Sequence, residues 1–358
     1  MTQSEKEAKV IELAELEVKR FCKKAIDEGY NATRVKAKIA EIVRKTLEHI
    51  TTPQTRADVL EALPRLATEM LAMFSNIKRT LAAIDELAKQ EGNEKVAKLL
   101  TDRSRLDENL MLIASNPEAY NVEPGARLYF REYHSQVRDT LDKIVRTGAY
   151  LQYDTRRVNL RNIAEMTVRY DSQLAMISEL KESGEDLVWI EPHANCSERC
   201  QRWQGKLFSL SGRSGKIDGI EFQPLSNATD ATTTSKSGRV WKNGCITGYN
   251  CRHKLLPYRG KNSRPVEIPA KVVAQQRKAE EVMRAMEREI RYFKEMAEFS
   301  KGIDDEKAKK AKTSASTLTR KYEAFSKKNK LAFVRERTRI LKGENIYKRR
   351  EGIPYIAP

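Results

Sequence analysis

The sequence predicts a mainly α protein: an elongated N-terminal helical domain over 1–182, a small α+β module rich in Cys and His over 183–260, and basic C-terminal helices over 261–358. Three observations carry that prediction. Apolar residues recur at helical spacing through both ends of the chain. The spacing gives way after Ser183-Gly184 to short β-type runs, and Cys and His concentrate in the same middle stretch. Of 358 residues, 33% are charged and 40% apolar, which excludes collagen-like, mucin-like and wholly disordered classes.

Taken in order, Ile11, Ala14, Val18 and Phe21 share one helix face, as do Ile39, Val43, Leu47 and Ile50, before Thr51-Thr52-Pro53 breaks the run. Leu66, Met70 and Met73 mark another helix, with Pro64 expected to begin or kink it. Leu99, Leu106, Leu110 and Ile113 follow, then loops are expected at Asn116-Pro117 and Pro124-Gly125. Two further stripes are Phe130, Tyr133, Val137, Leu141 and Ile144, and then Ile163, Met166, Tyr170, Leu174 and Ile177. Such stripes read as packed core. Cys22, alone on a helix, reads as a small buried hydrophobe.

Strands are expected at Asp186–Ile190, Lys206–Leu210 and Arg239–Trp241, separated by Gly, Ser, Thr and Asn. Ser211-Gly-Arg-Ser-Gly215 reads as a turn, because no helix pattern follows it to make a phosphate-cradling loop. Beyond Pro257 and Pro265 the helical period returns with Val282, Met286, Ile290 and Phe293. A break near Gly302 to Asp305 precedes a final basic helix through Leu318, Tyr322 and Phe325.

The net charge of +17 is unevenly placed. Lys plus Arg against Asp plus Glu is 30 to 31 over residues 1–190 and 37 to 19 over residues 191–358. Residues 301–358 hold 17 basic and 7 acidic side chains, among them Lys327, Lys328, Lys330, Arg335, Arg337, Arg339, Lys348, Arg349 and Arg350. A local excess of that size binds a polyanion through counterion release without reading sequence, so nucleic acid is the natural partner. The alternative is a solvated basic helix. No run approaches the ~18 apolar residues of a membrane span, and Glu5 and Glu7 stand where a secretory leader would be basic and then apolar.

His193, Cys196, Cys200, Cys245, Cys251 and His253 fall within 61 residues of a module whose size leaves its core marginal. Thiolates brought together across a loop suit tetrahedral Zn²⁺, with Cys196, Cys200, Cys245 and Cys251 as first-choice ligands and His253 or His193 as substitutes. Free thiols packed in a small core, or a disulfide, are the alternatives; a reducing cytosol disfavours the latter. A zinc hydrolase would use Glu191 or Glu198 as base, yet four thiolates close the shell; a nuclease built on His193 and His253 lacks an acidic cluster for Mg²⁺. Structural zinc is therefore the first reading of these residues, beside packed thiols or a disulfide, and no catalytic set is expected.

The string His193-Ala-Asn-Cys-Ser-Glu-Arg-Cys-Gln-Arg-Trp203-Gln204-Gly205-Lys206-Leu-Phe208, completed by Gly248-Tyr-Asn250-Cys251-Arg252-His253 and Pro257-Tyr258, resembles the tailed-phage minor capsid protein 2 family, which is related to the Mu F-like minor head proteins. Flanking stretches, Asn159 to Arg169 and Gln276 to Arg291, extend the likeness to about residues 155–340. Two positions depart from the family pattern: Cys200, where histidine is common, and Tyr170, where threonine is usual. A thiol in place of an imidazole fits a metal ligand, since both donate to zinc.

The resemblance implies a structural virion protein, made in the host bacterial cytoplasm and joining the head interior in few copies near the portal. Its partners would be portal, capsid or scaffold proteins and packaged double-stranded DNA, with no membrane anchor. Trp203 has two readings, module core or exposed anchor for a partner, and Arg252 pairs with either a phosphate or a carboxylate. The competing functions are a particle-delivered nuclease or ADP-ribosyltransferase, and a zinc-stabilised nucleic-acid-binding regulator.

Overall fold

The computed structural model describes residues 3–90, 96, 98–99, 102, 109, 112–113, 115, 120, 124–153, 156–229, 233–234, 240–241, 246–248 and 251–340. The protein is mainly α. Helices α1 (Gln3–Glu28), α2 (Ala32–Leu47), α3 (Pro53–Gln90) and α4 (Pro124–Arg146) lead to a hairpin of β1 (Tyr150–Tyr153) and β2 (Arg156–Asn159). Helix α5 (Leu160–Glu182) then runs into a five-stranded sheet and the short helices α6 (Glu198–Gln201) and α7 (Ser226–Thr229). Two long helices, α8 (Ala270–Ser300) and α9 (Asp305–Lys328), end the described chain apart from a 3₁₀ turn at Arg335–Thr338. Among the described residues no helix is long and apolar enough to cross a membrane.

The contacts divide the chain into two compact units. One is mostly helical and comprises Ala8–Arg161, Ala285–Lys328 and the described residues from Ala332 on. Its core follows the expected stripes: Ile11, Ala14 and Val18 of α1, Ile39 and Val43 of α2, Leu66 and Met70 of α3, and Val137, Leu141 and Ile144 of α4 are buried. Cys22 is fully buried, its thiol donating to the Ala67 carbonyl at 3.6 Å.

The buried Glu12, Glu15, Lys19 and Glu287 of this unit have oppositely charged partners, as a low-dielectric interior favours, whereas the buried Asp58 accepts from the Gln54 amide at 2.9 Å. Glu15 accepts the Ala149 N–H at 2.9 Å and lies 3.2 Å from the Arg161 guanidinium. Lys19 pairs with Glu295 at 3.1 Å. Helix α3 continues through Pro64, which neither begins nor ends it; Leu60, one turn earlier, whose carbonyl loses its partner to the proline, is an exposed residue. Pro124-Gly125, expected as a loop, is the first turn of α4, where a proline's missing N–H costs nothing. Leu106, Leu110 and the Asn116-Pro117 loop lie outside the described residues.

The other unit comprises Asn162–Arg284 with the short stretches 3–7 and 329–331. Its mixed sheet has the order β5-β6-β4-β3-β9, with β3 at Leu187–Ile190, β4 at Leu207–Ser209, β5 at Gly215–Ile217, β6 at Ile220–Pro224 and β9 at Leu255–Pro257. Strands β4 and β6 run parallel and the remaining pairs antiparallel. The period-2 alternation of β3 sends Val188 and Ile190 to one face, against Phe208, Leu225, Ala228, Leu255 and Val273, while Leu187 and Trp189 pack with Leu207 on the other. A separate pair, β7 (Thr233–Thr234) and β8 (Val240–Trp241), is antiparallel. In α5 the buried residues are Leu160, Ile163, Ala164, Val168, Gln173 and Leu180, whereas Leu174 of the expected stripe is 47% exposed.

Candidate metal centre

The antiparallel register Ile190↔Leu255 decides where the Cys and His residues meet. The chain leaving β3 and the chain entering β9 cross the same end of the sheet, so the 193–200 loop and the 251–253 segment become neighbours although about fifty residues separate them. The Glu191 N–H donating to the Lys254 carbonyl at 3.0 Å extends that pairing past the strand end.

His193, Cys196 and His253 present one donor atom each within 4.8 Å of one another, a group that could hold a metal ion. Cys196 Sγ stands 3.3 Å from His253 Nε2, and the two imidazole centroids are 4.2 Å apart. Donors of a tetrahedral zinc shell lie roughly 3.3–3.8 Å apart, as bond lengths of ~2.0–2.3 Å require. Both ring nitrogens of His193 are buried and make no hydrogen bond of ordinary geometry among the described residues, although the Asn195 side chain lies beside the ring. An imidazole so placed pays for desolvation without return unless something binds it.

Burial, and then the neighbouring His193, holds the His253 imidazole down at about 3, and burial likewise lowers His193. Both are neutral at physiological pH, the form that ligates metals. A hydrogen bond to Cys200 together with burial raises the Cys196 thiol, so cation binding there displaces a proton.

Cys200, on α6 and buried in the module core, is hydrogen-bonded from Ser197 Oγ at 3.2 Å. Cys251 stands on the far side of the His253 ring, 3.4 Å from Nδ1. The two thiols thus have different relations to the three-residue group. Cys245 and Asn250 lie outside the described residues, as does the side chain of Glu198.

The Trp203-Gln204-Gly205-Lys206 segment forms the turn that returns the chain from α6 to β4. Gly205 takes a left-handed φ of 68° and its N–H donates to the Ile190 carbonyl at 2.9 Å. That turn aims Gln204 inward: its Oε1 accepts the His193 N–H at 2.7 Å and lies 3.3 Å from His253 Nε2. Trp203 is half-buried, edge-on to Phe208 at 6.1 Å, with the Arg202 guanidinium 4.6 Å and the Lys206 ammonium 5.8 Å from its ring. Two further contacts had no sequence signal. Gln173 of α5 donates to the His253 carbonyl at 2.9 Å, and Asn195 donates to Glu280 of α8 at 2.7 Å.

Arg252 is exposed, with the charges of Arg169, Arg284, Glu165 and Glu280 around it. Of the basic C-terminal residues, Lys327, Lys328, Lys330, Arg335 and Arg339 are exposed, Lys327 pairing with Glu323 at 3.1 Å. Arg337 is half-buried, 3.9 Å from the buried Glu287. Lys348, Arg349 and Arg350 lie outside the described residues.

No curated protein and no solved structure matches the chain. A family model, described as phage minor capsid protein 2, matches residues 132–326, more than half of the sequence and all of the Cys/His module. The chain therefore belongs to the phage minor capsid protein 2 family.

Proposed function

We propose that the protein is a non-catalytic minor head protein located inside the phage head near the portal. There it meets portal, capsid or scaffold proteins and contacts packaged double-stranded DNA without reading its sequence. Family membership, which makes the chain a structural protein of the phage particle, is the observation that carries this reading. The cationic second half supports the DNA part, because a +18 surplus gains affinity for any phosphate backbone.

The Cys/His group belongs to the same proposal as a structural zinc site. His193, Cys196 and His253 would hold the ion, with Cys200 supplying a fourth donor and Cys251 accepting the Nδ1–H of His253. Bound zinc would supply a cross-link between the loop after β3 and the start of β9. Gln204 and Gln173 would fix the backbone that carries the two imidazoles, through the His193 N–H and the His253 carbonyl.

Quantitative mass spectrometry of procapsids, filled heads and DNA-emptied heads tests the location. The expected result is a few copies per head, with cross-links to the portal; absence from purified particles would overturn the reading. Incubated with plasmid and divalent metal, or with labelled NAD, the protein is expected to leave substrates and itself unmodified. A modification lost on His193→Ala would instead make it an enzyme.

A further inference from the structure

We infer that the DNA-contacting surface is the outer face of α9, a duplex phosphate-binding strip formed chiefly by Lys309, Lys312, Arg320 and Lys321, with Lys327 and Lys328 at its end. The inference rests on the proposed DNA contact and names its site. Helix α9 buries Ala311, Ala315, Tyr322 and Ser326 on one side. At 100° per residue those four centre on one direction, and Lys309, Ser316, Arg320 and Lys327 fall within about 20° of a single line on the opposite side.

Lys309, Lys310, Lys312, Arg320, Lys321, Lys327 and Lys328 are all exposed, against one exposed carboxylate, Glu323, on the same helix. Among the described residues Lys309, Lys312, Arg320, Lys321 and Lys328 make no ion pair or hydrogen bond, whereas Lys310 pairs with Glu306 and Lys327 with Glu323. Lys312 lies about 60° to one side of that line and Lys321 and Lys328 about 100–120° to the other, so the five uncompensated cations spread over the outer half of the helix and repel each other, a cost that a polyanion removes.

The rest of the face selects the kind of polyanion. Between the cations lie Ser316 and Thr317, exposed hydroxyls small enough for close approach and able to donate to phosphate oxygens, and Thr313, whose hydroxyl donates to the Lys309 carbonyl at 3.2 Å. The exposed residues include no large apolar side chain, Ala324 being the sole apolar one, so the face lacks the desolvated centre of a protein interface. They also include no Asn or Gln to read base edges, which leaves backbone contact without sequence preference. From Lys309 to Lys327 the strip runs roughly 27 Å at ~1.5 Å per residue, enough to meet several phosphates of one duplex.

The test compares three full-length proteins by fluorescence anisotropy with a labelled random-sequence duplex over a series of salt concentrations. They are the wild type, the variant Lys309→Glu/Lys312→Glu/Arg320→Glu/Lys321→Glu, and a control with the same charge change on the other unit, Lys216→Glu/Lys261→Glu/Lys271→Glu/Lys278→Glu. Thermal melting confirms that each is folded, as exposed substitutions should allow. The α9 variant is expected to bind at least ~10-fold more weakly, with a log–log salt slope reduced by ~3–4, about 0.9 for each phosphate that is no longer neutralised. The control should keep most of the wild-type slope.

Equal losses in both variants would reduce the effect to net charge and overturn the strip. Unchanged binding by the α9 variant would overturn it while leaving the DNA contact standing. A wild type that fails to bind duplex would remove the DNA reading and the strip together. Polyglutamate competing as well as DNA would make the partner an acidic protein and equally overturn the proposal.

Discussion

One amide side chain, that of Gln204, ties the two halves of the Cys/His motif together: it accepts the His193 N–H and reaches His253 Nε2. Gln204→Ala should cost ~1 kcal/mol in urea unfolding, because a half-buried N–H loses its acceptor. The clustering of His193, Cys196 and His253 was legible in the sequence, since few other residues of either type exist in the chain. The sorting of the thiols was not, because the side of an imidazole on which a cysteine falls depends on the sheet register. Cys22 behaves as its helical setting suggested: burial pushes its thiol up to about 12. It should react with maleimide only after unfolding, as peptide mass mapping would show. Tyr322 donates to Glu287 at 2.7 Å, and burial together with that carboxylate pushes its hydroxyl up to about 12. Between its ordinary value of 10 and about 12 the unfolded chain gives up a proton that the folded chain keeps, so stability falls as pH rises through that window. The fall attributable to Tyr322 is ~1.4 kcal/mol per pH unit, and comparing Tyr322→Phe with the wild type isolates it.

At the scale of elements, the long helices were readable because several turns repeat the same signal. The short strands were legible only in part. β3 and β4 lie within expected runs, and β8 takes up Val240–Trp241 of the third. The hairpin β1–β2 and strands β5, β6 and β9 gave no signal: three to five residues hold too few alternations to separate strand from loop. In α8 the expected face of Val282, Met286, Ile290 and Phe293 is rotated, and Val273, Met283, Glu287, Ile290, Met296, Phe299 and Ser300 are the buried residues. Glu287 misled the pattern, since a carboxylate enters the interior there by pairing with Tyr322 and Arg337. Gly205 makes the turn between α6 and β4 possible, and a Cβ there meets only ordinary contacts at 3.6 Å and beyond. Gly205→Ala should therefore cost ~1–2 kcal/mol through its left-handed backbone alone. A loss of that size in thermal melts, without change of fold by circular dichroism, is the expected outcome.

At the scale of the whole molecule, the charge division along the sequence does not coincide with the division into compact units. Residues 285–328, from the basic half, share a unit with residues 8–161 from the nearly neutral half. Basic residues there serve two ends: Arg291 and Arg337 meet buried carboxylates, while α9 keeps its cations outward. Composition could reveal the surplus but not this partition, which depends on how distant helices pack. We propose a structural metal clamp in the Cys/His group rather than a reaction centre. Metal analysis of the purified protein, with a thermal melt before and after chelation, addresses it most directly. About one equivalent of zinc, lost together with several degrees of melting temperature on chelation and absent from Cys196→Ser, is the result this account requires. Less than half an equivalent, with the melting curve untouched by chelator, would contradict it.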